Sequence, residues 1–396
     1  MNFTFSRKIS AFKPSIFNEL AAYKQNRMKA GFSLIDLSIG SPDLPPPAFI
    51  RDCLSSESLK LDSYRYTMTG IQEFYEAVTG YYRNNHGISI DDKKEIAMLM
   101  GSQDGLVHLP MMLADEEDYI LVPDPGYTAY ETGVAMSGAT PFFMPLKQEN
   151  GYLPDLDAIP EEVAEKAKLM ILNFPGNPIP AIAGESFFSH AIEFAKKYNI
   201  FILHDFAYSE LYFDGHKPVS FLSIPEAKEV GIEMNSLSKS FNMAGCRIGY
   251  AAGNAEIIQV LQQFKSNLDY GVFLPIQKAA ILAMEQGEEF CKESRTVYQR
   301  RRDLLIDGLA SVGWSVEKPE AGMFIWAKIP SGWKSIDFTY ALIDHANLVV
   351  TPGSAFGPSG EGYVRMAMVA NEEQISDIID NLKNSDIFSL HNAVQR

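Results

Sequence analysis

Apolar and polar positions follow two rhythms through the middle of the chain. Short apolar runs come first: "EIAMLM" (95–100), "YILVPDPGY" (119–127), "KLMILNFPGNP" (168–178), "NIFILHDFAY" (199–208) and "GIEMNSLSK" (231–239). Each is stopped by glycine, proline or a polar residue, as a buried strand would be. Between such runs, "QDGLVHLPMMLA" and "ESFFSHAIEFAKKYN" space their apolar residues as amphipathic helices do. Short strands alternating with helices predict an α/β fold with a mainly parallel sheet covered on both faces. After about residue 285 the texture changes to a long helical stretch, "GEEFCKESRTVYQRRRDLLIDGLASVG", then the shorter strands "FIWAKI" and "YVRMAMV" and a last helix. This predicts a large domain over 46–285 and a smaller α+β domain built from 1–45 and 286–396.

Composition narrows the function classes. A chain of 396 residues exceeds one compact core, and 46% hydrophobic with 21% charged residues describes a folded protein. The formal net charge of −16 gives no footprint for nucleic acid or an anionic membrane, although a small anion needs only a local cationic cluster. Cys53, Cys246 and Cys291 are odd in number and dispersed, which fits neither a disulfide framework nor a zinc site. The opening "MNFTFSRKISAFKPS" lacks the apolar core of a signal peptide, and no apolar run approaches the ~18 residues of a membrane span. A cytoplasmic protein without metal, membrane or nucleic-acid partners is expected.

Polar residues gather where the apolar runs end: Asn173 and Asn177, Asp205 and Tyr208, Ser236 and Lys239. Ligands of open α/β sheets bind beyond the carboxyl ends of the strands, so these separate segments are expected to converge. A lone lysine in a loop ordinarily holds its charge in water. Lys239, however, has Ser236 three positions before it and Arg247 eight after, with Gly245 and Gly249 flanking the arginine. A desolvated lysine forms a Schiff base with an aldehyde, while serine and the arginine fork bind phosphate. One cofactor carries both groups, pyridoxal phosphate. Its ring nitrogen needs a carboxylate partner. Asp205 in "LHDFAY" fits that need, with Tyr208 placed to bond the ring's phenolic oxygen. Ser102 and Gln103 in "MGSQDGL" open a helix, where free amides favour phosphate. Tyr127 is a candidate to stack on the ring, and Asn177 a second donor to the phenolic oxygen. His204, next to Asp205, is expected on the sheet's opposite face by strand alternation.

These segments carry a family resemblance. "SLSKSFNMAGCRIG", "GSQDGL", "PDPGY", "NFPGNP", "HDFAY" and "GEGYVRMAM" resemble, in order, the landmarks of the class I/II aminotransferases, the fold type I pyridoxal-phosphate enzymes. The likeness covers essentially the whole chain and is closest in texture to bacterial transaminases of methionine salvage and diaminopimelate metabolism. It implies a seven-stranded sheet in the large domain and a homodimer with active sites at the interface. It implies that Lys239 is the catalytic lysine, Asp205 the pyridinium partner, and Tyr208 and Asn177 the donors to the phenolic oxygen. Ser102, Gln103, Ser236 and Arg247 resemble the phosphate cup, Tyr127 the stacking ring. Arg365, with Gly40 of "LSIGSPDLP", resembles the site for the substrate's α-carboxylate. Two departures stand out. Ile179 and Pro180 replace the usual Thr-Gly after Asn-Pro, which leaves that loop's conformation open. The tyrosine that reaches the partner's phosphate is displaced: Arg65 holds its usual position, Tyr64 and Tyr66 flank it, and Tyr66 is the expected substitute.

The implied reaction is ping-pong transfer of an amino group between an L-amino acid, methionine-type or diaminopimelate-type, and a 2-oxo acid. A carbon–sulfur β-lyase or a decarboxylase on the same scaffold is the alternative. A cofactor-sensing regulator would need an appended DNA-binding domain that residues 1–35 are too short to form, and no G-x-G-x-x-G follows a strand to suggest a dehydrogenase.

Overall fold

The apolar runs become the strands of one large sheet in the computed structural model, which describes residues 3–6, 9, 12 and 16–388. The rest of the opening stretch read for a leader, and the end of the expected small domain, lie outside the described residues. Strand β1 (Ile35–Asp36) stands apart. The central sheet uses β2 (Ile96–Leu99), β3 (Tyr119–Asp124), β4 (Thr140–Pro145), β5 (Ala167–Leu172), β6 (Phe201–Asp205), β7 (Gly231–Ser236) and β8 (Gly249–Gly253), in the order β2-β8-β7-β6-β5-β3-β4. Only β8 runs antiparallel to its neighbours β2 and β7; the other pairs are parallel.

Alternation along these strands separates two apolar layers. Met98, Leu121, Met170 and Ile202 face one side, with Phe74, Phe188 and Ala279 of the covering helices. Leu99, Val122, Leu169, Leu203 and Met234 face the other, with Leu109, Tyr130 and Leu261. The sheet is thus covered on both faces, as the continuous apolar runs require.

Beyond it lie two small sheets. Strands β9 (Phe324–Lys328), β11 (Thr351–Pro352) and β12 (Tyr363–Ala367) form an antiparallel sheet, and β1 pairs in parallel with β10 (Leu348–Val349). The helix Glu288–Ser311 leads into this second layer, and Leu305, Leu309, Phe338 and Ile378 fill its core. Among the described residues no helix is long and apolar enough to cross a membrane.

Two strands of the central sheet escaped the sequence pattern, as did the two-residue strands β1, β10 and β11. β4, "TPFFMP", carries a proline near each end and lies at the sheet edge, where missing donors are tolerated. β8, "GYAAG", is nearly all small residues because its neighbours approach closely. A Cβ on Gly249 would sit 2.6 Å from the Asn235 carbonyl oxygen and 3.0 Å from the Ser102 nitrogen. Gly249→Ala is therefore expected to destabilise the fold by about 1–3 kcal/mol in urea denaturation, through strain rather than a lost contact. A variant as stable as the parent would contradict that packing.

Candidate active site

The site forms where the strands end. Gly249 pairs with Leu99 on one side and Ser236 on the other. Because β8 runs backwards, its entry, which carries Arg247, shares an edge with the exits of β2 and β7. After β2, Gly101 turns at φ 79° into the helix Ser102–Leu113, so the free amides of that helix's first turn face the same edge. Ser236 caps the turn after β7, its hydroxyl accepting from the Ser238 amide at 3.2 Å. Arg247 holds a left-handed backbone at φ 53°, uncommon for a non-glycine residue. Its guanidinium lies against Gly101, where any Cβ would come within 2.4 Å of Nη2. Gly101 is thus a cradle that only glycine leaves open.

Asp205 ends β6 and is buried. Its Oδ2 accepts from the Tyr130 hydroxyl at 2.9 Å and its Oδ1 from the Ala207 amide at 3.3 Å. Burial outweighs these bonds and pushes the carboxyl pKa up. Asn173, after β5, donates to the Asp205 carbonyl at 2.7 Å and accepts from the Asn177 amide at 2.9 Å, so one side chain ties two segments of the site together. Tyr127 precedes the helix Thr128–Ser137 and donates to Gln103 Oε1 at 3.1 Å. Tyr208 packs edge-on against Phe324 of the second layer, and burial pushes its hydroxyl pKa well up.

Arg365, on β12, is 4% exposed. Its partners are neutral oxygens: Nη1 donates to Asn177 Oδ1 at 2.8 Å, and Nη2 to the Ser38 carbonyl at 2.6 Å and Thr351 Oγ1 at 3.3 Å. Its buried Nε has no hydrogen-bond partner among the described residues. Burial pulls the guanidinium down to about 10, so it remains charged at neutral pH. Lys239 donates to the Gly40 carbonyl. Burial, then the charges of Arg365 and Arg247, lower its amine to about 8.

A cavity of about 470 Å³ is lined by Gly40, Ser102, Gln103, Tyr127, Asn177, Asp205, Tyr208, Ser236, Lys239, Arg247 and Arg365, all predicted from the sequence. Tyr66 is not among them: it is 81% exposed and packs on Tyr270. The sequence reading missed Tyr130, although it stands one helical turn after Tyr127 in the same "PGYTAY" segment. It also missed Lys24, Ser38, Ser238 and Phe356 in the cavity wall, which come from distant segments with no motif. His204 is fully buried, contacting Glu233 through Nδ1 and the Phe174 carbonyl through Nε2, both at 3.1 Å. The loop around Ile179–Pro180 keeps its hold on Asn177, with the Gly176 amide donating to the Ile179 carbonyl at 3.0 Å. The Ile179 side chain is buried with Leu146, Trp326 and Phe356.

These groups fit a flat, phosphate-bearing cation with an aldehyde. Among the described residues Asp205 is the one acid in the lining against Lys24, Lys239, Arg247 and Arg365, and the Gly101 cradle and Ser102 amide provide an anion cup. The orphaned Arg365 Nε marks a second place where negative charge is wanted.

The comparisons with known proteins agree with this chemistry. The sequence model of the family "Aminotransferase class I and II" matches residues 33–382. The chain is 41% identical to the LL-diaminopimelate aminotransferase of Moorella thermoacetica, over 96% of this chain and 97% of that protein. It is 42% identical to the LL-diaminopimelate aminotransferase of Halothermothrix orenii, over 96% and 98%. Its fold matches the substrate-bound BacF structure from Bacillus subtilis with a TM-score of 0.93 and 38% identity, covering 97% of this chain and 98% of that one.

The lowered amine gives a pH signature. In cofactor-free protein, modification of Lys239 by an amine-selective electrophile is expected to rise with a midpoint near pH 8, read by peptide mass spectrometry. Exposed lysines should follow at about 10.4. Arg365→Met removes one of the depressing charges and should move the Lys239 midpoint upward. A Lys239 that titrates with the surface lysines would refute the electrostatics.

Proposed function

This chain belongs to the class I and II aminotransferases, and from that premise we propose a diaminopimelate-type amino acid as its amino donor. It is a pyridoxal-phosphate-dependent enzyme of fold type I whose substrates are amino acids and 2-oxo acids. The donor assignment draws on the relatives named for LL-diaminopimelate. The observation that carries the reading of the site is that Lys239, Arg247 and Arg365 line one cavity in which, among the described residues, Asp205 is the one acid.

When bound, pyridoxal phosphate supplies an aldehyde for the amino group and a protonated ring that draws electrons from the bonds at the substrate's Cα. Ser102, Gln103, Ser236 and Arg247 hold the phosphate, with the Gly101 turn letting the guanidinium come close. Asp205 would pair with the ring nitrogen and favour its protonated form. Its raised pKa reflects a buried carboxyl waiting for a cation, and Tyr130 fixes its orientation. Tyr127 would stack on the ring, and Asn177 and Tyr208 would donate to the phenolic oxygen. Lys239, with its amine lowered to about 8, would be the residue that holds the cofactor's aldehyde and, once the substrate's amino group has displaced it and freed its amine, the base for the Cα proton. Arg365 and the Gly40 backbone would hold the α-carboxylate and so orient the substrate's Cα toward Lys239.

The functional unit of this reading is a homodimer in the cytoplasm. Leu59, Leu61, Tyr64, Tyr66 and Met68 form an exposed apolar stretch, with Tyr66 against Tyr270 and Tyr64 against Phe273. Contiguous exposed apolar surface of this sort fits a protein interface, across which Tyr66 would reach the partner's phosphate. Residues 46–285 act as the cofactor-binding domain, and 1–45 with 286–396 as the domain that closes over the substrate.

Purified protein given 2,6-diaminopimelate and 2-oxoglutarate should form glutamate. Release of ammonia, pyruvate and thiol from a sulfur amino acid without any oxo acid would instead make it a lyase. Lys239→Ala should lower kcat by roughly 10²–10⁴-fold or more. Arg365→Met should lower kcat/KM by roughly 100-fold, through the lost charge-assisted pair. Native turnover in either variant would overturn the assigned roles.

A further inference from the structure

We propose that Lys24 is the receptor for a carboxylate at the far end of the substrate's side chain. This deepens the proposed function and rests on its substrate class. Among the described residues four cations line the cavity; Lys239, Arg247 and Arg365 have roles in that reading and Lys24 has none.

Lys24 belongs to the helix Ile16–Lys29. Phe17, Leu20, Ala21 and Lys24 all line the cavity, and their spacing of three, four and seven residues puts them on one face of that helix. The helix is anchored to the second layer: Leu20 is buried with Ile343 and Val349, and the Tyr23 hydroxyl donates to Asp344 Oδ1 at 2.8 Å. The lysine head is itself positioned. It donates to Asp36 Oδ2 at 2.5 Å, and Asp36 Oδ1 accepts from the Ser38 amide at 2.8 Å and the Ser38 hydroxyl at 2.6 Å. Asp36 is outside the cavity lining, so the counter-ion does not occupy the space that Lys24 faces. An ammonium has three donors, and Asp36 engages one of them.

Two further facts select a side-chain carboxylate. The Ser38 carbonyl that follows this chain of bonds accepts from Arg365 Nη2. Lys24 therefore stands on the side of the α-carboxylate clamp, with the cofactor's phosphate cup at the separate edge formed by Ser102 and Arg247. An apolar strip runs beside this polar path: the Phe356 ring lies 4.8 Å from the Arg365 guanidinium carbon, the Phe17 ring packs on Phe356 at 6.0 Å, and with Leu20 on the helix of Lys24 they suit a chain of methylenes. A charge at each end and an apolar strip alongside match an amino acid that carries a second carboxylate several carbons from the first.

The test uses the pyridoxal-phosphate-loaded enzyme and two unreactive acids, heptanedioate and heptanoate, with Kd measured by calorimetry. The parent should bind heptanedioate ~10–100-fold more tightly than heptanoate, the worth of one hydrogen bond between charged groups. Lys24→Met should erase that preference and Lys24→Arg should keep most of it. The ratio of kcat/KM for 2,6-diaminopimelate over norleucine should fall in parallel. If Lys24→Met does not fold, Lys24→Gln carries the same comparison. A parent that uses diaminopimelate, with the preference intact in Lys24→Met, overturns the role of Lys24 and leaves the substrate class standing. Equal weakening of both acids also overturns it, since that marks a structural residue. A parent that turns over only norleucine and shows no preference between the acids overturns the substrate class and this inference together.

Discussion

Unbalanced positive charge at the strand ends is the constraint on which the rest of the structure depends. Among the described residues four cations border the cavity; Asp36 pairs Lys24 from outside the lining, and Asp205 is the one acid in the lining that faces the other three. Desolvated like charges repel, and an unpaired buried cation is among the costliest groups a fold can carry. The chain meets that cost with rigid neutral oxygens. Arg365 is held by a side-chain amide, a backbone carbonyl and a hydroxyl, and Lys239 by the Gly40 carbonyl. Such oxygens satisfy donors without cancelling charge, so the field remains directed into the cavity for an anionic ligand. The lowered amine of Lys239 is a direct product of this arrangement, because burial and the two arginines disfavour its proton.

Sheet topology makes that concentration of charge possible. A parallel sheet delivers only its carboxyl ends to one edge. The reversed β8 adds an entry to that edge, and with it Arg247, between the exits of β2 and β7. The register has little slack, since Gly249 leaves no room for a side chain between Asn235 and Ser102. The second layer then contributes Arg365 from β12 and the Gly40 backbone, whose site is closed by the Phe324 ring 2.8 Å from where a Cβ would stand.

Much of this was legible in the residues, and the exceptions have physical reasons. Lys239, Arg247, Ser236 and Asp205 stand in local segments whose strand ends had to converge once the sheet was parallel. β8 was invisible because its small residues answer to neighbouring backbones rather than to an apolar face. Lys24 and Tyr130 were missed for another reason: the spacing of Lys24 on its helix face and of Tyr130 one turn after Tyr127 is local, but the cavity and the Asp205 carboxylate that give those positions meaning come from distant segments. Tyr66 differs again. It lies on exposed surface, where no contact within this chain fixes what it reaches.

The loop after Asn177 shows how a departure in sequence can keep its geometry. With Ile179 and Pro180 in place of Thr-Gly, the turn had no evident means of holding Asn177. In the structure Asn173 does so, by accepting the Asn177 amide, while the Ile179 carbonyl closes the turn onto Gly176. The isoleucine side chain adds an anchor, packing into a cluster with Leu146 before the loop and Trp326 and Phe356 of the second layer. A threonine hydroxyl at that depth would need a partner; a branched hydrocarbon needs only shape. The Asn177–Arg365 bond already joins the two layers through polar atoms, and Ile179 joins them two residues away through apolar ones. The asparagine loop is therefore fastened to the second layer twice, by the polar Asn177–Arg365 bond and by the apolar packing of Ile179 on Trp326 and Phe356.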